Sequence, residues 1–369
     1  MRIVIDARII SSTTGRYVER LLTSLEAIDT TNEYIVLVRR HDATYWHPTN
    51  ANFHVMVADF PLHSLREQFS YAWFLRSLKP DIVHFTMPQQ PLLYRGTHLT
   101  TIHDLTILRT YNSDKNWLIF HFKQIVAHLV FFVIGHTSRT IITPSDYTRR
   151  DYVQFAHISP KKAAVTYEAA DSLASTPRPY DGLPPQAPYL LYVGQQSDYK
   201  NIKRLIKAHQ RLLKTMPDLL LVLVGKLDKA AIKTSRWVEQ QAYQNVIFTG
   251  FVDDAELAWL YANCRAYVFP SLMEGFGLPG LEAMRHGAPV VSSNATCLPE
   301  IYADAAHYFD PTDITAMANA ISQVITDDTL RRSLINRGQQ RVNEFSWQRM
   351  ATQTHALYEQ GRPTTGTAL

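Results

Sequence analysis

Short apolar runs alternate with longer segments of helical periodicity along the whole chain. Many of these runs are apolar at every position, which is typical of parallel strands covered by helices on both faces. The pattern predicts strands at 2–5, 34–38, 54–57, 81–85, 99–102, 140–143, 163–166, 189–193, 219–224, 246–248, 266–269 and 289–291. It predicts helices near 16–27, 65–78, 116–135, 146–155, 202–214, 230–243, 255–262, 279–286, 312–325, 330–344 and 347–358. This alternation indicates doubly wound α/β units.

One segment interrupts the alternation. Residues 172–188, SLASTPRPYDGLPPQAP, are rich in proline and small residues and read as an interdomain linker. We therefore expect two Rossmann-like domains with parallel sheets, the first at 1–171 and the second at 189–345. A final helix and a frayed tail follow within 346–369. Ligands of such sheets bind beyond the carboxyl ends of the strands.

Composition and charge narrow the class of protein. A length of 369 residues suits two domains, and a formal net charge of +4 is too small to indicate a nucleic-acid-binding surface. Cys264 and Cys297 lack metal-ligand spacing, which disfavours a zinc site and fits a reducing, cytoplasmic compartment. The N-terminal MRIVIDAR reads as a strand and not as a signal peptide.

The candidate chemistry lies between a predicted strand and a predicted helix. Glu274 and Glu282 are eight positions apart across a turn rich in glycine and proline. Gly275, Gly277 and Gly280 keep this loop free of bulky side chains, so its backbone N–H groups can approach a ligand. A loop that runs into a helix N-terminus binds anions, whereas the two carboxylates suit neutral hydroxyls. Phosphate on the backbone and hydroxyls on the acids together indicate a nucleotide sugar.

Several motifs resemble those of one family. The run EGFGLPGLE from Glu274 to Glu282 resembles the paired-glutamate motif of the retaining glycosyltransferases of family 4. The runs GRYVERLL, TIHDLTILR, ITPSDYTRRDY and VGQQSDYKNIKRLI are also similar to segments of these enzymes. The resemblance implies the glycosyltransferase-B (GT-B) fold, in which two Rossmann-like domains face each other across a cleft. It also implies a C-terminal helix that crosses back to the N-terminal, acceptor-side domain.

The resemblance assigns roles to residues of the second half. Glu274 would hold hydroxyls of the transferred sugar, and Glu282 would accept hydrogen bonds from the ribose diol. Lys200 would neutralise the leaving diphosphate in place of a metal ion. The backbone of the loop would line the junction of diphosphate and sugar, at Gly275, Phe276, Gly277 and Leu278.

In the first half the resemblance singles out two residues. His103 would lie at the reacting sugar, close to the acceptor, although a loop histidine paired with Asp104 is the structural alternative. Gly15 would let its loop approach the phosphate without a clash at Cβ.

The chain departs from the family pattern at two positions. Gln195 and Tyr199 stand where the family usually has an arginine, so one charge at the diphosphate is missing. Either Lys200 acts alone, or Lys226 or Arg204 compensates.

The resemblance implies a metal-independent, retaining hexosyltransferase that needs no cofactor besides its nucleotide diphosphate sugar. The motif set is most similar to bacterial mannosyltransferases that build surface polysaccharides or glycolipids, so GDP-mannose is the favoured donor and a UDP-sugar remains open. A glycan or lipid-linked acceptor is expected. The aromatic segment 69–75 and the apolar run 125–134 are candidates for docking a lipid-linked acceptor or for peripheral membrane contact, but core packing explains both equally well.

Two other functions remain as alternatives. The substitutions at Gln195 and Tyr199 permit a non-catalytic scaffold subunit of a glycosyltransferase complex. A glycosidase that uses Glu274 and Glu282 is disfavoured, because two acids that flank one helix start are poorly placed on opposite sides of a scissile bond.

Overall fold

The computed structural model describes residues 1–62, 64–110, 117–173, 176–184 and 186–361, with no side-chain detail for 117–120. These residues form two compact units. The first combines 1–109 and 117–168 with the C-terminal residues from Ser346 onward, and the second spans 169–345. The predicted tail after Gly361 lies outside the described residues.

The first unit is built on a seven-stranded parallel sheet of order β3-β2-β1-β4-β5-β6-β7. Its strands are β1 (Arg2–Asp6), β2 (Glu33–Val38), β3 (Phe53–Val57), β4 (Ile82–Phe85), β5 (His98–Thr101), β6 (Thr140–Thr143) and β7 (Ala163–Val165). Its helices are α1 (Gly15–Ile28), α2 (Ala72–Ser77), α3 (Thr106–Arg109), α4 (Trp117–Thr137) and α5 (Asp146–Ala156).

Alternate residues of a strand pack against helices on opposite faces of this sheet. Ile3 and Ile5 pack with α1 and with the last helix of the chain, α13 (Trp347–Gln360). Val4 faces the other way and packs with α2. The last helix is also held by hydrogen bonds, because the Tyr358 hydroxyl lies 2.6 Å from Nδ1 of the buried His84.

The second unit is built on a six-stranded parallel sheet of order β10-β9-β8-β11-β12-β13. Its strands are β8 (Tyr189–Val193), β9 (Leu220–Val224), β10 (Val246–Gly250), β11 (Ala266–Phe269), β12 (Val290–Ser293) and β13 (Ala306–Phe309). Its helices are α6 (Ile202–Leu212), α7 (Lys229–Gln240), α8 (Asp254–Asn263), α9 (Leu278–Arg285), α10 (Leu298–Tyr302), α11 (Ile314–Thr326) and α12 (Asp328–Arg341).

The segment predicted as a linker packs on the second unit. Of 172–188, residues 174, 175 and 185 lie outside the described part, and the rest cluster with 189–345. Arg178 forms an ion pair with Asp253 and a second one with Glu256 at 3.4 Å, at the start of α8. The boundary between the two units falls at 168/169. The ion pairs of Arg178 hold the proline-rich segment against α8.

Within the described ranges, no helix combines the length and the apolar character that crossing a membrane requires.

Candidate active site

The loop between β11 and α9 presents the start of a helix. Gly277 precedes α9 in a left-handed conformation with φ of 99°, and Pro279 occupies the first turn. Because Gly277 has no side chain, it cannot cap the first-turn N–H groups itself. Backbone N–H groups at a helix start carry partial positive charge and bind anions.

Tyr302, at the end of α10, holds this helix start in place. Its buried hydroxyl donates a 2.6 Å hydrogen bond to the carbonyl oxygen of Gly277. A Cβ on Gly280 would lie 2.3 Å from the Tyr302 ring, and a Cβ on Gly277 would lie 2.6 Å from its hydroxyl. The sequence pattern links these glycines to the approach of a ligand, but the structure shows that both are required by the packing of Tyr302.

Lys200 and Glu274 form an ion pair beside this loop. Lys200 Nζ lies 2.6 Å from Glu274 Oε1, and the two side chains are only 14% and 12% exposed. Burial alone lowers the pKa of Lys200, but the Glu274 carboxylate outweighs this effect and raises the pKa above its ordinary value. The ammonium also lies 5.1 Å from the ring centroid of Tyr199, a cation–π distance. The structure thus brings two predicted site residues, 74 positions apart, into direct contact.

Asn201 fixes the position of Lys200. It adopts a left-handed conformation with φ of 63° and precedes α6. Its side-chain amide donates to the carbonyl oxygens of Pro270, at 3.0 Å, and Pro311, at 2.7 Å. The backbone N–H of Leu272 donates to the Tyr199 carbonyl at 2.8 Å. These bonds tie the loop after β8 to the loop after β11, so Lys200 and Glu274 are held by a shared framework.

Glu282 lies one turn into α9. Its position places a largely buried carboxylate, 9% exposed, on the helix that begins at Leu278. Burial is the main cause of the raised pKa of Tyr267, and the Glu282 carboxylate raises it further. Its role at the ribose stays a prediction.

The positions that depart from the family pattern lie after the carboxyl end of β8. Gln195 is exposed, and its carbonyl oxygen accepts a 2.6 Å hydrogen bond from the Tyr192 hydroxyl. Of the two candidate replacements, Arg204 donates to the side chain of Asn201 at 2.9 Å, whereas Lys226 follows β9 at the neighbouring strand end. Arg204 is therefore bonded to the residue next to Lys200.

In the first unit, His103 lies just after β5. Its Nε2 is 2.9 Å from the carbonyl oxygen of Thr86, and its Nδ1 is 3.4 Å from Glu168 Oε1. The ring also packs edge-on against Tyr17 of α1, with centroids 4.8 Å apart. Burial lowers the pKa of His103, but Glu168 and the Thr86 carbonyl more than reverse this and raise the pKa. Both ring nitrogens thus face acceptor oxygens, one of Thr86 and one of Glu168.

The carboxylate paired with His103 is Glu168 and not Asp104, the partner in the structural alternative. The Asp104 carboxylate accepts a 2.8 Å hydrogen bond from the backbone N–H of Thr106, the first residue of α3. The close carboxylate is that of Glu168, which is 5% exposed and follows β7. The sequence signal for Glu168 was an acidic residue just after a predicted strand. No local spacing links it to His103, which lies 65 positions earlier.

Gly15 begins α1 in the same unit. A Cβ at this position would lie 1.8 Å from the Ile10 carbonyl oxygen. The close approach of the preceding loop to the helix therefore requires glycine on structural grounds alone, and its contact with a phosphate stays a prediction.

Among the residues that the structure describes, no three histidine, cysteine, aspartate or glutamate side chains are grouped to hold a metal ion. Cys264 and Cys297 are free, buried thiols, and burial raises the pKa of each.

Known proteins identify the family. Residues 178–341 match the family described as Glycosyl transferases group 1. The O-antigen chain mannosyltransferase B of Escherichia coli is 34% identical over 311 residues, which are 81% of this chain and 78% of that protein. The chain belongs to the group 1 glycosyl transferases. The resemblance to family 4 glycosyltransferases is thereby confirmed, and the protein is a glycosyltransferase of polysaccharide synthesis.

Solved structures agree on the fold. Sucrose-phosphate synthase from Thermosynechococcus elongatus is similar with a TM-score of 0.76 at 20% identity, over 98% of both chains. HepE from Anabaena, solved with UDP and glucose, is similar with a TM-score of 0.73 at 16% identity, over 98% of this chain and 100% of that one. Together with the two parallel sheets, these likenesses confirm the predicted GT-B fold of this glycosyltransferase.

Replacing Glu168 by Gln is expected to lower the pKa of His103. The raised pKa means that the ion pair stabilises the fold fully below the ordinary value of 6.5 and loses this effect as the pH rises through the folded-state pKa. NMR titration of the imidazole in the variant and in the parent protein would show the shift. Glu33→Gln, which removes an exposed partner of Arg2, is the matched control. An unchanged titration of His103 in Glu168→Gln would contradict the pairing.

Proposed function

We propose that this glycosyltransferase transfers mannose from GDP-mannose to a glycan or lipid-linked acceptor, with retention at the anomeric carbon and without a metal ion. The Lys200–Glu274 pair at the N-terminal end of α9 carries this proposal. It offers a cation for a diphosphate and a carboxylate for sugar hydroxyls at one place. The O-antigen mannosyltransferase relative favours mannose as the sugar and a surface polysaccharide as the product.

The ion pair suggests how a donor would be received. A diphosphate at the first turn of α9 would meet the N–H groups of Phe276, Gly277 and Leu278. It would also compete for the ammonium of Lys200, since phosphate oxygens are strong acceptors. Glu274 would then exchange Lys200 for hydroxyls of the sugar. Before the donor binds, Lys200 and Glu274 neutralise each other, which limits the free-energy cost of burying either charge. Once it binds, Lys200 recognises the phosphate and Glu274 the sugar.

The proposed reaction is a front-face displacement that uses these contacts. The acceptor hydroxyl attacks the anomeric carbon on the face from which the diphosphate leaves, and the leaving phosphate oxygen takes up the acceptor's proton. Lys200 and the α9 N–H groups stabilise the charge that develops on the diphosphate. His103 stays the proposed acceptor-side residue, and Glu168 holds its ring in orientation within the first unit.

Nucleotide binding tests the donor assignment. GDP at one hundred times its Kd is expected to stabilise the protein by about 2.7 kcal/mol in a thermal-shift measurement. UDP should give a smaller shift; the reverse order would replace GDP-mannose by a UDP-sugar, since HepE was solved with UDP and glucose. Glu282→Ala should abolish the shift by removing the ribose contact, whereas Glu239→Ala on the exposed side of α7 should not. An unchanged shift in Glu282→Ala would contradict the ribose assignment.

Donor hydrolysis separates an enzyme from a scaffold. An active transferase releases GDP slowly from GDP-mannose when water replaces the acceptor. A non-catalytic subunit, which Gln195 and Tyr199 permit, would form no GDP from GDP-mannose. The intact Lys200–Glu274 pair favours the active enzyme.

The proposed acceptor also bears on where the protein works. A lipid-linked acceptor is confined to a membrane, so we place the enzyme in the cytoplasm, in peripheral contact with the inner face of the cell membrane. It contacts no nucleic acid in this proposal, and it needs no cofactor besides its donor.

A further inference from the structure

Helix α4 has two apolar faces. Its inner face packs into the core of the first unit, where Phe131 and Ile134 belong to the same buried cluster as Ile102 and Ile141. Its other face leaves large apolar side chains between 42% and 68% exposed, namely Phe122, Ile125, Val126, Leu129 and Phe132. The spacing of 122, 125, 129 and 132 places four of them in one stripe along the helix. Core packing therefore explains only half of the apolar run in this helix.

A second exposed stripe lies on the α2 segment, which we define as residues 64–77. Leu65, Phe69 and Trp73 are four positions apart and between 63% and 77% exposed. Four-residue spacing aligns side chains on one side of a helix. A tryptophan that is 71% exposed in such a stripe is unusual, because its large apolar surface is normally at least half covered.

The two stripes belong to the same helical layer of the first unit. The α2 segment packs on Phe85, and the register Phe85–Thr100–Ile141 places Ile141, which packs on α4, on the same face of the sheet. A hydrogen bond connects the α2 segment towards α4, since the Gln68 side chain accepts a 2.8 Å hydrogen bond from the Leu92 backbone N–H. Leu92 in turn packs into the cluster that holds the inner face of α4. We call these exposed side chains, five on α4 and three on the α2 segment, the outer apolar face.

The exposed charged residues that α4 and the α2 segment themselves carry are all basic. The sequence contains no aspartate or glutamate from 117 to 145, and Lys123 is exposed on α4 itself. Over 64–77 the exposed charged residues are Arg66 and Arg76, because Glu67 is buried in an ion pair with Arg8 at 3.0 Å. Anionic lipid surfaces attract such cations, while apolar side chains between them insert at the level of the headgroups.

The carboxylates of the adjacent helix α5 do not reverse this charge pattern. Asp146 is ion-paired with Arg149 at 2.6 Å and with Arg150 at 2.9 Å. Asp151 is ion-paired with Arg109. Each acid on α5 thus has a basic partner beside the face.

We propose that the outer apolar face docks the first unit on an anionic lipid bilayer. This inference names the surface that would make the membrane contact of the proposed function. It rests on the proposed function only in that a lipid-linked acceptor gives the enzyme a reason to bind a membrane. A second copy of the chain fits less well. A two-fold symmetric contact would bring Lys123, Arg66 and Arg76 against the same cations of the other copy. A bilayer instead offers phosphates to the cations and acyl chains to the exposed aromatic and aliphatic side chains.

Vesicle sedimentation tests the surface. The protein is mixed with vesicles of phosphatidylcholine and phosphatidylglycerol, at a ratio of about 3:1, or of phosphatidylcholine alone. We expect clear preference for the anionic vesicles and weaker binding as salt is raised. Phe122→Ser/Ile125→Ser/Leu129→Ser should lower the partition coefficient by about tenfold or more, because it removes three groups from the bilayer. Ile232→Ser is the matched control, since Ile232 is a helical isoleucine, 44% exposed, on α7 of the second unit.

A second variant separates charge from folding. Arg76→Glu/Lys123→Glu leaves every apolar group in place and should reduce binding to anionic vesicles but not to neutral ones. Unchanged partition of either variant would overturn the proposal, as would equal binding of the parent protein to both vesicle types. A dimer in light scattering that the triple Ser variant converts to a monomer would also overturn it, in favour of a second copy.

The same samples keep this proposal distinct from the donor assignment. GDP-induced thermal shifts are measured on each variant and should equal those of the parent protein. Vesicle binding without a GDP shift would leave the surface standing and remove the donor proposal. A GDP shift without vesicle binding would do the opposite.

Discussion

Replacing Lys200 by Met is expected to lower the kcat of mannosyl transfer by about 10²–10³-fold, the usual effect of removing one preorganised group that stabilises developing charge. No metal ion shares this task in the proposed mechanism, and the family's arginine is replaced here by Gln195 and Tyr199. Single-turnover measurement of GDP release with saturating GDP-mannose isolates the chemical step. The loss of charge stabilisation in the chemical step should therefore appear in kcat, apart from any weaker binding of the donor.

The same substitution has a consequence for stability. Lys200→Met would leave the Glu274 carboxylate, 12% exposed, without the cation now 2.6 Å away. An uncompensated carboxylate in such a place costs about 1–3 kcal/mol in the free energy of unfolding. The double variant Lys200→Met/Glu274→Gln removes that charge and should recover most of the loss, while activity stays low. The double variant thus separates catalysis from folding.

Two results would contradict the assignment. One such result is a Lys200→Met variant with activity within about threefold of the parent enzyme. A threefold loss corresponds to a change in the activation barrier of well under about 1.4 kcal/mol. It would show that Arg204 or Lys226 supplies the charge at the diphosphate. Recovery of activity in the double variant would show that the unpaired acid, and not the missing cation, caused the defect.

The strand pattern was predictable because both sheets are parallel and covered. Every one of the twelve predicted strands has a counterpart, and 140–143, 189–193 and 266–269 match to the residue. The sequence did not predict β13 (Ala306–Phe309), because AHYF is short and carries a polar residue at an edge of the sheet. It also did not predict that 172–188 packs on the second unit, since the partners of Arg178 lie some 75 positions away.

The candidate site was predictable where the chemistry is local. The residues from Glu274 to Glu282 are contiguous, so their motif carries both acids and the helix start. The contacts that position them are not local: Asn201 bridges to Pro270 and Pro311, and Tyr302 supports the loop before α9. Likewise, the sequence of α4 fits a core helix or a surface patch, and only the packed structure shows that it has one face of each kind. A periodicity records which residues are apolar, but it does not record which of them find a partner.

Replacing Gly280 by Ala is expected to disrupt nucleotide binding without touching any ligand atom. The new Cβ would lie 2.3 Å from Cζ of Tyr302, whose ring is fully buried and cannot move into open space. Overpacking of this kind costs about 1–3 kcal/mol in the free energy of unfolding. Relief requires the ring or α9 to shift, and either shift breaks the 2.6 Å hydrogen bond from Tyr302 to the Gly277 carbonyl. The helix start that binds the diphosphate would therefore be displaced.

Gly287, just beyond the other end of α9, provides the control. It has φ of 79°, but a Cβ there would meet nothing within 4 Å. Gly287→Ala should therefore cost only the strain of a left-handed alanine, about 1–2 kcal/mol, and should keep the GDP-induced thermal shift. Gly280→Ala should lose that shift at temperatures where circular dichroism still reports a folded protein. If both variants bind GDP equally well, the position of the α9 start relative to Tyr302 does not govern donor binding, and the diphosphate must be held chiefly by Lys200.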